Sequence, residues 1–273
     1  MTADRLPLLL EPDELEKNLG RDDLLVVDLS KPDTYARLHV PGAVHLDYAR
    51  IIAMQKPVMG LVPDDATLAA VFSAIGIDAG MHVVACDDEG GGRAARLLWT
   101  LEVAGHNSFS LLNGGLHAWA NEGHPLDSAP AMPVAKVFEV HRNPTPVADS
   151  SYIMEHLESD DCVLLDARSP DEYRGIKKFA ERAGHIPGAV NFEWTEAMDQ
   201  GRNLRLKPAD ELGTLLAERG ITPDKEIIAY CQTHHRSALS YFVLRLLGYP
   251  RVRGYPGAWS EWGNDPSLPV SGS

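Results

Sequence analysis

LLVVDLSKPDTYARLHVPGAVHLDY, residues 24 to 48, returns later in the chain as CVLLDARSPDEYRGIKKFAERAGHIPGAVNFEW, residues 162 to 194. Three further pairs follow in the same order and at similar spacing. PDDATLAAVFSAIGI (63 to 77) matches KPADELGTLLAERGI (207 to 221), and VVACDDEGGGRAA (83 to 95) matches IIAYCQTHHRSAL (227 to 239). NGGLHAWANEGHP (113 to 125) matches RGYPGAWSEWGNDP (253 to 266). A repeat of about 125 residues is too long for a solenoid unit and has the size of a whole domain. The chain therefore reads as two domains, 1–125 and 147–273. They are joined by a Pro-rich connector, 126–146, in which AKVFEVH forms a strand or an extended crossing segment.

Each copy alternates short apolar runs with helical patterns. LLVVDL, CVLLDA, MHVVAC and EIIAYC read as buried strands. Leu68, Val71, Phe72 and Ile75 recur at helical spacing, as do Leu212, Leu215 and Leu216, and each run closes at Gly76 or Gly220. Strands alternating with helices predict an α/β fold, with a mostly parallel sheet covered on both faces. Ligands in such folds bind beyond the carboxyl ends of the strands.

A net charge of −14 argues against nucleic acid or an anionic membrane as partner. The balance is −10 over residues 1–140 and −4 over 141–273, so the second half repels an anion less. No apolar run approaches a membrane span, and Leu6 to Leu10 is too short for the core of a signal peptide. Three cysteines, Cys86, Cys162 and Cys231, do not make a disulfide framework, and a cytoplasmic location is the expectation.

The copies differ in chemistry at one strand end. The first has Asp87, Asp88, Glu89 and three glycines; the second has Cys231, Gln232, Thr233, His234, His235 and Arg236. A tight loop leading into a helix aims backbone N–H groups and the positive end of the helix dipole at one point, which lowers a thiol's pKa and holds an anion beside it. The acid-rich loop does neither, so the second copy is expected to be active and the first structural. The second copy also carries eight extra residues between Tyr173 and His185, adding Lys177, Lys178 and Arg182. Either this segment folds towards the loop and attracts an anionic substrate, or it is a solvated surface excursion.

On these motifs the chain resembles the two-domain rhodaneses, a sulfurtransferase family, over nearly its whole length. The two PGAV segments resemble the family's N-terminal signature and RGYPGAWSEWG its C-terminal one. CQTHHRS resembles the loop of a bacterial thiosulfate:cyanide subgroup. The resemblance implies two tandem rhodanese-like domains, each an open, mostly parallel five-stranded sheet flanked by helices. It implies Cys231 as a nucleophile that takes sulfane sulfur from thiosulfate as a persulfide and passes it to cyanide or another thiophilic acceptor. Gln232, Thr233, His234, His235, Arg236 and Ser237 would bind substrate, with Arg182 and Trp194 as weaker candidates. Neither a dissociable cofactor nor a metal is implied, and a sulfur-donor or sulfur-acceptor protein is a possible partner.

Other readings stand beside this one. A 3-mercaptopyruvate sulfurtransferase would favour a smaller, Gly/Ser-rich loop, and a persulfide carrier would keep Cys231 but use thiosulfate poorly. Phosphatases of related fold place five residues between Cys and Arg, whereas four lie between Cys231 and Arg236. Cys231, His234 and His235 alone make a weak zinc signature. Cys86 and Cys162 read as buried small apolar residues. His39, His185, Trp119 and Trp259 recur in both copies and read as fold support.

Overall fold

A computed structural model of the protein describes residues 6–272. It divides into two compact units. The first comprises Met1–Ile51, Pro63–Asn143 and Asp199–Leu206, and the second Ile52–Val62, Pro144–Met198 and Lys207–Ser273. Three features of this division differ from the boundaries predicted by sequence. Most of the expected connector belongs to the first unit: His39 and Asp127 form a bridge, and Lys136 and His141 donate their backbone N–H groups to the carbonyls of Ser73 and Ala104. This places AKVFEVH as an extended segment, not a strand. The hairpin of Ala53–Gln55 and Val58–Leu61 belongs to the second unit, although it lies inside the first repeat. Residues 199–206 belong to the first unit: Leu206 N–H is held by Asn113 Oδ1 at 2.8 Å, and Arg205 pairs with Glu11 and Glu122.

In the first unit five parallel strands run in the spatial order Leu9–Leu10, Phe109–Leu112, His82–Cys86, Leu24–Asp28, Val44–His45. His82–Cys86 is buried at every residue, as a strand with neighbours on both edges and helices on both faces must be. The second unit repeats this with Val252–Gly254, Glu226–Tyr230, Cys162–Asp166 and Val190–Asn191. Here the sheet has four strands, not five. The fifth position is a single parallel bridge, Val147 to Gly254. Pro146 has no N–H to offer a ladder, and Asp149 caps the helix Ser150–His156 by accepting from Tyr152 N–H at 2.7 Å. The contact is confined to Gly254, whose N–H bonds to the Pro146 carbonyl at 2.8 Å and whose carbonyl accepts from Ala148 N–H at 2.9 Å.

The helix Asp65–Ala74 buries Leu68, Val71 and Phe72 and closes at Gly76 with φ +89°, as its apolar spacing predicted. The helix Arg236–Leu246 is buried along Ser237–Leu244 rather than on one face, because it lies between the sheet and other elements of its unit. His39 and His185 each stack on a tyrosine, at 4.0 and 3.8 Å between ring centroids, and each places Nδ1 2.7 Å from that tyrosine's carbonyl oxygen. They fasten the same turn in both copies. The tryptophan pairing needs correction: Trp119 and Trp262, not Trp259, occupy equivalent places. Each donates its indole N–H at 2.6 Å to a proline carbonyl further on, Pro125 or Pro269. The shared Ala-Trp pairs of the sequence are three residues out of structural register.

Among the described residues, no helix is long and apolar enough to cross a membrane.

Candidate functional site

Cys231 follows directly on the buried central strand Glu226–Tyr230, at its carboxyl end, and is wholly buried. Its carbonyl accepts from Trp259 N–H at 2.9 Å, and that of Gln232 from Ser260 N–H at 3.0 Å. Two successive carbonyls are thus turned outward, which leaves the N–H groups of the loop to face the sulfur. Burial alone would raise the thiol's pKa. The Arg236 guanidinium, the hydroxyl and N–H of Ser237 and the N–H of Thr233 outweigh it, bringing the thiol from its ordinary 9.0 to about 7. The same physics has the opposite result elsewhere. Burial pushes Cys162 up to about 11 and Cys86 well above its ordinary range, next to Asp28, Asp87 and Asp88. Only Cys231 is prepared to be a thiolate near neutral pH.

The first copy shows what this loop geometry accepts. Asp87 occupies the Cys231 position, and its buried carboxylate takes N–H groups from Glu89, Gly91 and Ala94 at 3.0, 2.8 and 2.9 Å. The cradle is built in both copies. In the first it is filled by the chain's own carboxylate; in the second it surrounds a sulfur.

His234 is buried and sits at φ +52°, where the first copy has Gly90 at φ +95°. The turn demands a left-handed residue there, and placing a side chain in it costs about 1 kcal/mol. What the histidine supplies is visible: its Nδ1 lies 2.8 Å from Ser237 Oγ, the hydroxyl that faces Cys231. His235 tilts against Trp194 with 6.0 Å between ring centroids, which puts both aromatic rings at the loop's edge. Gln232 reaches the other way and donates its amide to the carbonyl of Phe179 at 3.1 Å.

Arg236 does not stand open to a ligand. It donates through both terminal nitrogens to Glu172, at 2.7 and 2.9 Å. Glu172 is held in turn by the N–H and hydroxyl of Ser169, in a capping box at the start of the helix Pro170–Tyr173. Burial works against the Glu172 charge, but Arg236 and Ser169 hold its carboxyl down at about 2. Glu172 therefore fixes the cation beside the thiol, and the sequence reading missed it. The signal was present: Lys31-Pro-Asp-Thr34 in the first copy becomes Ser169-Pro-Asp-Glu172 in the second, a capping box appearing only where the loop carries an arginine.

Arg182 is not brought to the loop as a ligand. Its guanidinium is spent on the carbonyls of Trp262, Asp265 and Leu268. A second missed contributor is Gly60, in the hairpin lying inside the other repeat. A Cβ there would sit 2.5 Å from the Pro256 carbonyl oxygen and closer still to that of Thr233. Met59 N–H bonds to Ser260 Oγ at 3.1 Å, so the hairpin is seated against the loop and the turn before Ala258–Trp262. Nothing local in residues 52–62 indicates this destination. Among the described residues, no group of three or more His, Cys, Asp or Glu is arranged to hold a metal ion.

Comparison with known proteins places this architecture. The model of the rhodanese-like domain matches residues 11–122 and again 149–265. The thiosulfate sulfurtransferases of Pseudomonas aeruginosa and Azotobacter vinelandii are each 46% identical over 265 residues, spanning 97% of both chains. The sulfur carrier protein TtuD of Thermus thermophilus is 34% identical over 278 residues, covering 97% of this chain and 96% of its own. Among solved structures, an EanB variant in complex with ergothioneine superposes with a TM-score of 0.86 at 25% identity, covering 96% of this chain and 69% of that one. The chain belongs to the rhodanese family, as two tandem rhodanese-like domains.

Proposed function

We propose that the protein is a sulfurtransferase that moves sulfane sulfur from thiosulfate to cyanide or another thiophilic acceptor through a persulfide on Cys231. One observation carries this reading: a buried thiol whose pKa is drawn down to about 7 by the N–H groups of Thr233 and Ser237, the Ser237 hydroxyl and an immobilised arginine. In the first half-reaction the Cys231 thiolate attacks the outer sulfur of thiosulfate. The S–S bond breaks, sulfite leaves with its electron pair, and Cys231 becomes a persulfide. In the second, cyanide attacks the outer sulfur, thiocyanate forms, and the thiolate is regenerated. The N–H groups of the loop from Gln232 to Ser237 stabilise the charge that stays on sulfur through both steps, with Thr233 and Ser237 nearest it.

His234 orients Ser237, and Trp194 with His235 forms one side of the approach. Arg236 acts as a fixed charge on the thiol rather than as a hand that grips the substrate. The sulfur rides on the chain itself, so no dissociable cofactor is required. Three unpaired cysteines fit a reducing compartment, the cytoplasm. The likeness to thiosulfate sulfurtransferases at 46% identity favours thiosulfate as donor.

Steady-state thiocyanate formation tests the scheme. Varying thiosulfate at several fixed cyanide concentrations should give parallel double-reciprocal lines, the signature of a covalent intermediate between two substrates. Intersecting lines would require both substrates to be bound together and would contradict it. The hairpin gives a second test. Gly60→Val drives a side chain into the backbone carbonyls of Thr233 and Pro256, which cannot step aside as a flexible side chain would. A displacement of the loop by about 1 Å is expected to cost roughly 100-fold in turnover. Unchanged turnover in a folded Gly60→Val protein would show that the hairpin does not set the loop.

A further inference from the structure

Residues 174–179 lie in the eight-residue insertion that only the second copy carries. The insertion is no loose excursion. At its start the N–H groups of Ile176 and Lys177 are held by the Asp171 carbonyl at 2.8 and 3.0 Å. At its end Glu181 N–H bonds to Asn264 Oδ1, Arg182 N–H to the Gly263 carbonyl, and Ala180 packs on the core of the unit. Between these anchors Ile176 and Phe179 remain 68% and 64% exposed. A segment fastened at both ends that holds two large apolar side chains in water is organised in advance for a partner. It also adjoins the loop of the reacting sulfur, because the side-chain amide of Gln232, the residue after Cys231, donates to the Phe179 carbonyl.

Charge narrows the partner. Arg174, Lys177 and Lys178 flank the two apolar side chains, and the first two share the single carboxylate of Asp171 at 3.1 and 3.2 Å. This is a local basic patch on a chain of net charge −14, which otherwise repels acidic proteins, anionic membranes and its own copies. A membrane surface would meet that overall repulsion with three cations in its favour, whereas a partner segment meets only the patch. We infer that residues 174–179 are the docking surface for a protein acceptor that offers its thiol on an acidic segment with apolar side chains. This rests on Cys231 carrying the sulfur. The acceptor thiolate attacks the outer sulfur of the Cys231 persulfide, and the S–S bond breaks. Cys231 leaves as thiolate and the acceptor becomes the persulfide, with no outside oxidant or reductant.

The test uses the full chain, loaded with thiosulfate and freed of excess. Discharge is followed by intact mass against three acceptors: cyanide, a short peptide with one cysteine among Asp, Glu and Leu, and the same peptide with Lys for each acid. At low ionic strength the acidic peptide should discharge the protein about 10-fold faster than the basic one. Ile176→Ser/Phe179→Ser should slow the acidic peptide about 10-fold and leave cyanide unchanged, and Lys177→Glu/Lys178→Glu should reverse the peptide preference. Equal peptide rates, or peptide and cyanide slowing together, overturn the inference. So does sedimentation with phosphatidylserine vesicles, or self-association, that disappears in the Ile176→Ser/Phe179→Ser protein. Failure to load sulfur at all would instead remove the sulfurtransferase reading. Loading and discharge to cyanide without peptide preference removes only the docking surface.

Discussion

Cys231→Ser is expected to abolish thiocyanate formation, by a factor of about 10⁴ or more, while Cys86→Ser and Cys162→Ser stay within about twofold of the parent. The contrast follows from the three thiol environments. A serine hydroxyl in the Cys231 position has the same cradle but no accessible anion and no sulfur to form a persulfide, so covalent transfer stops. Burial and neighbouring carboxylates keep the thiol of Cys86 neutral, and burial does the same for Cys162. Both act as small apolar groups, and replacing sulfur by oxygen there costs stability rather than activity. Steady-state rates and thermal unfolding of the three variants separate these effects. Comparable loss of turnover in the Cys86→Ser protein would mean that the sulfur path is not confined to Cys231.

Arg236→Gln is the second large effect. With the thiol at about 7, roughly half of Cys231 is thiolate at neutral pH. Reaction with iodoacetamide should therefore rise with pH through a midpoint near 7. Removing the guanidinium takes away the strongest influence that lowers the thiol, so the midpoint should move up by about one unit or more. Turnover at pH 7 should fall by about 10²-fold, from a smaller thiolate fraction and lost stabilisation of charge on sulfur. The single variant also strands the Glu172 carboxylate, which should cost about 2–4 kcal/mol of stability. Arg236→Gln/Glu172→Gln relieves that penalty. The double variant should regain stability but keep the raised midpoint, and a midpoint still near 7 would show that Arg236 does not set the thiol. The clamp has its own pH signature. Glu172 is depressed from its ordinary 4.5 to about 2. Its contribution to stability is therefore complete above 4.5 and is lost as pH falls towards 2.

The duplication, the central strands, the Gly76 and Gly220 helix ends and the distinction between the Cys231 and Asp87 loops were all legible because each is a local pattern repeated within one chain. What was not legible depends on where distant segments come to rest. Nothing between residues 52 and 62 announces that Gly60 will lie against Thr233, since a glycine's close approach to a remote backbone leaves no local mark. Arg182 lies in the insertion that could have folded towards the loop, yet carbonyls at and beyond the end of the Ala258–Trp262 helix claim its charge. The fifth strand of the second sheet shrinks to a single bridge at Val147, which the alignment of apolar runs does not reveal. Trp119 was paired with Trp259 because identical dipeptides outweighed a three-residue shift that only the indole hydrogen bonds reveal. Glu172 is different. It was readable from the repeat, but a capping box in the sequence does not say which cation its carboxylate will hold, here Arg236.

The persulfide itself is the most direct observable. Intact mass after incubation with thiosulfate, followed by removal of the excess, should show the gain of one sulfur atom per chain. Cyanide should reverse it, and Cys231→Ala should never acquire it. An unchanged mass in the parent protein, or the same gain in the Cys231→Ala protein, would contradict sulfur transfer through this thiol.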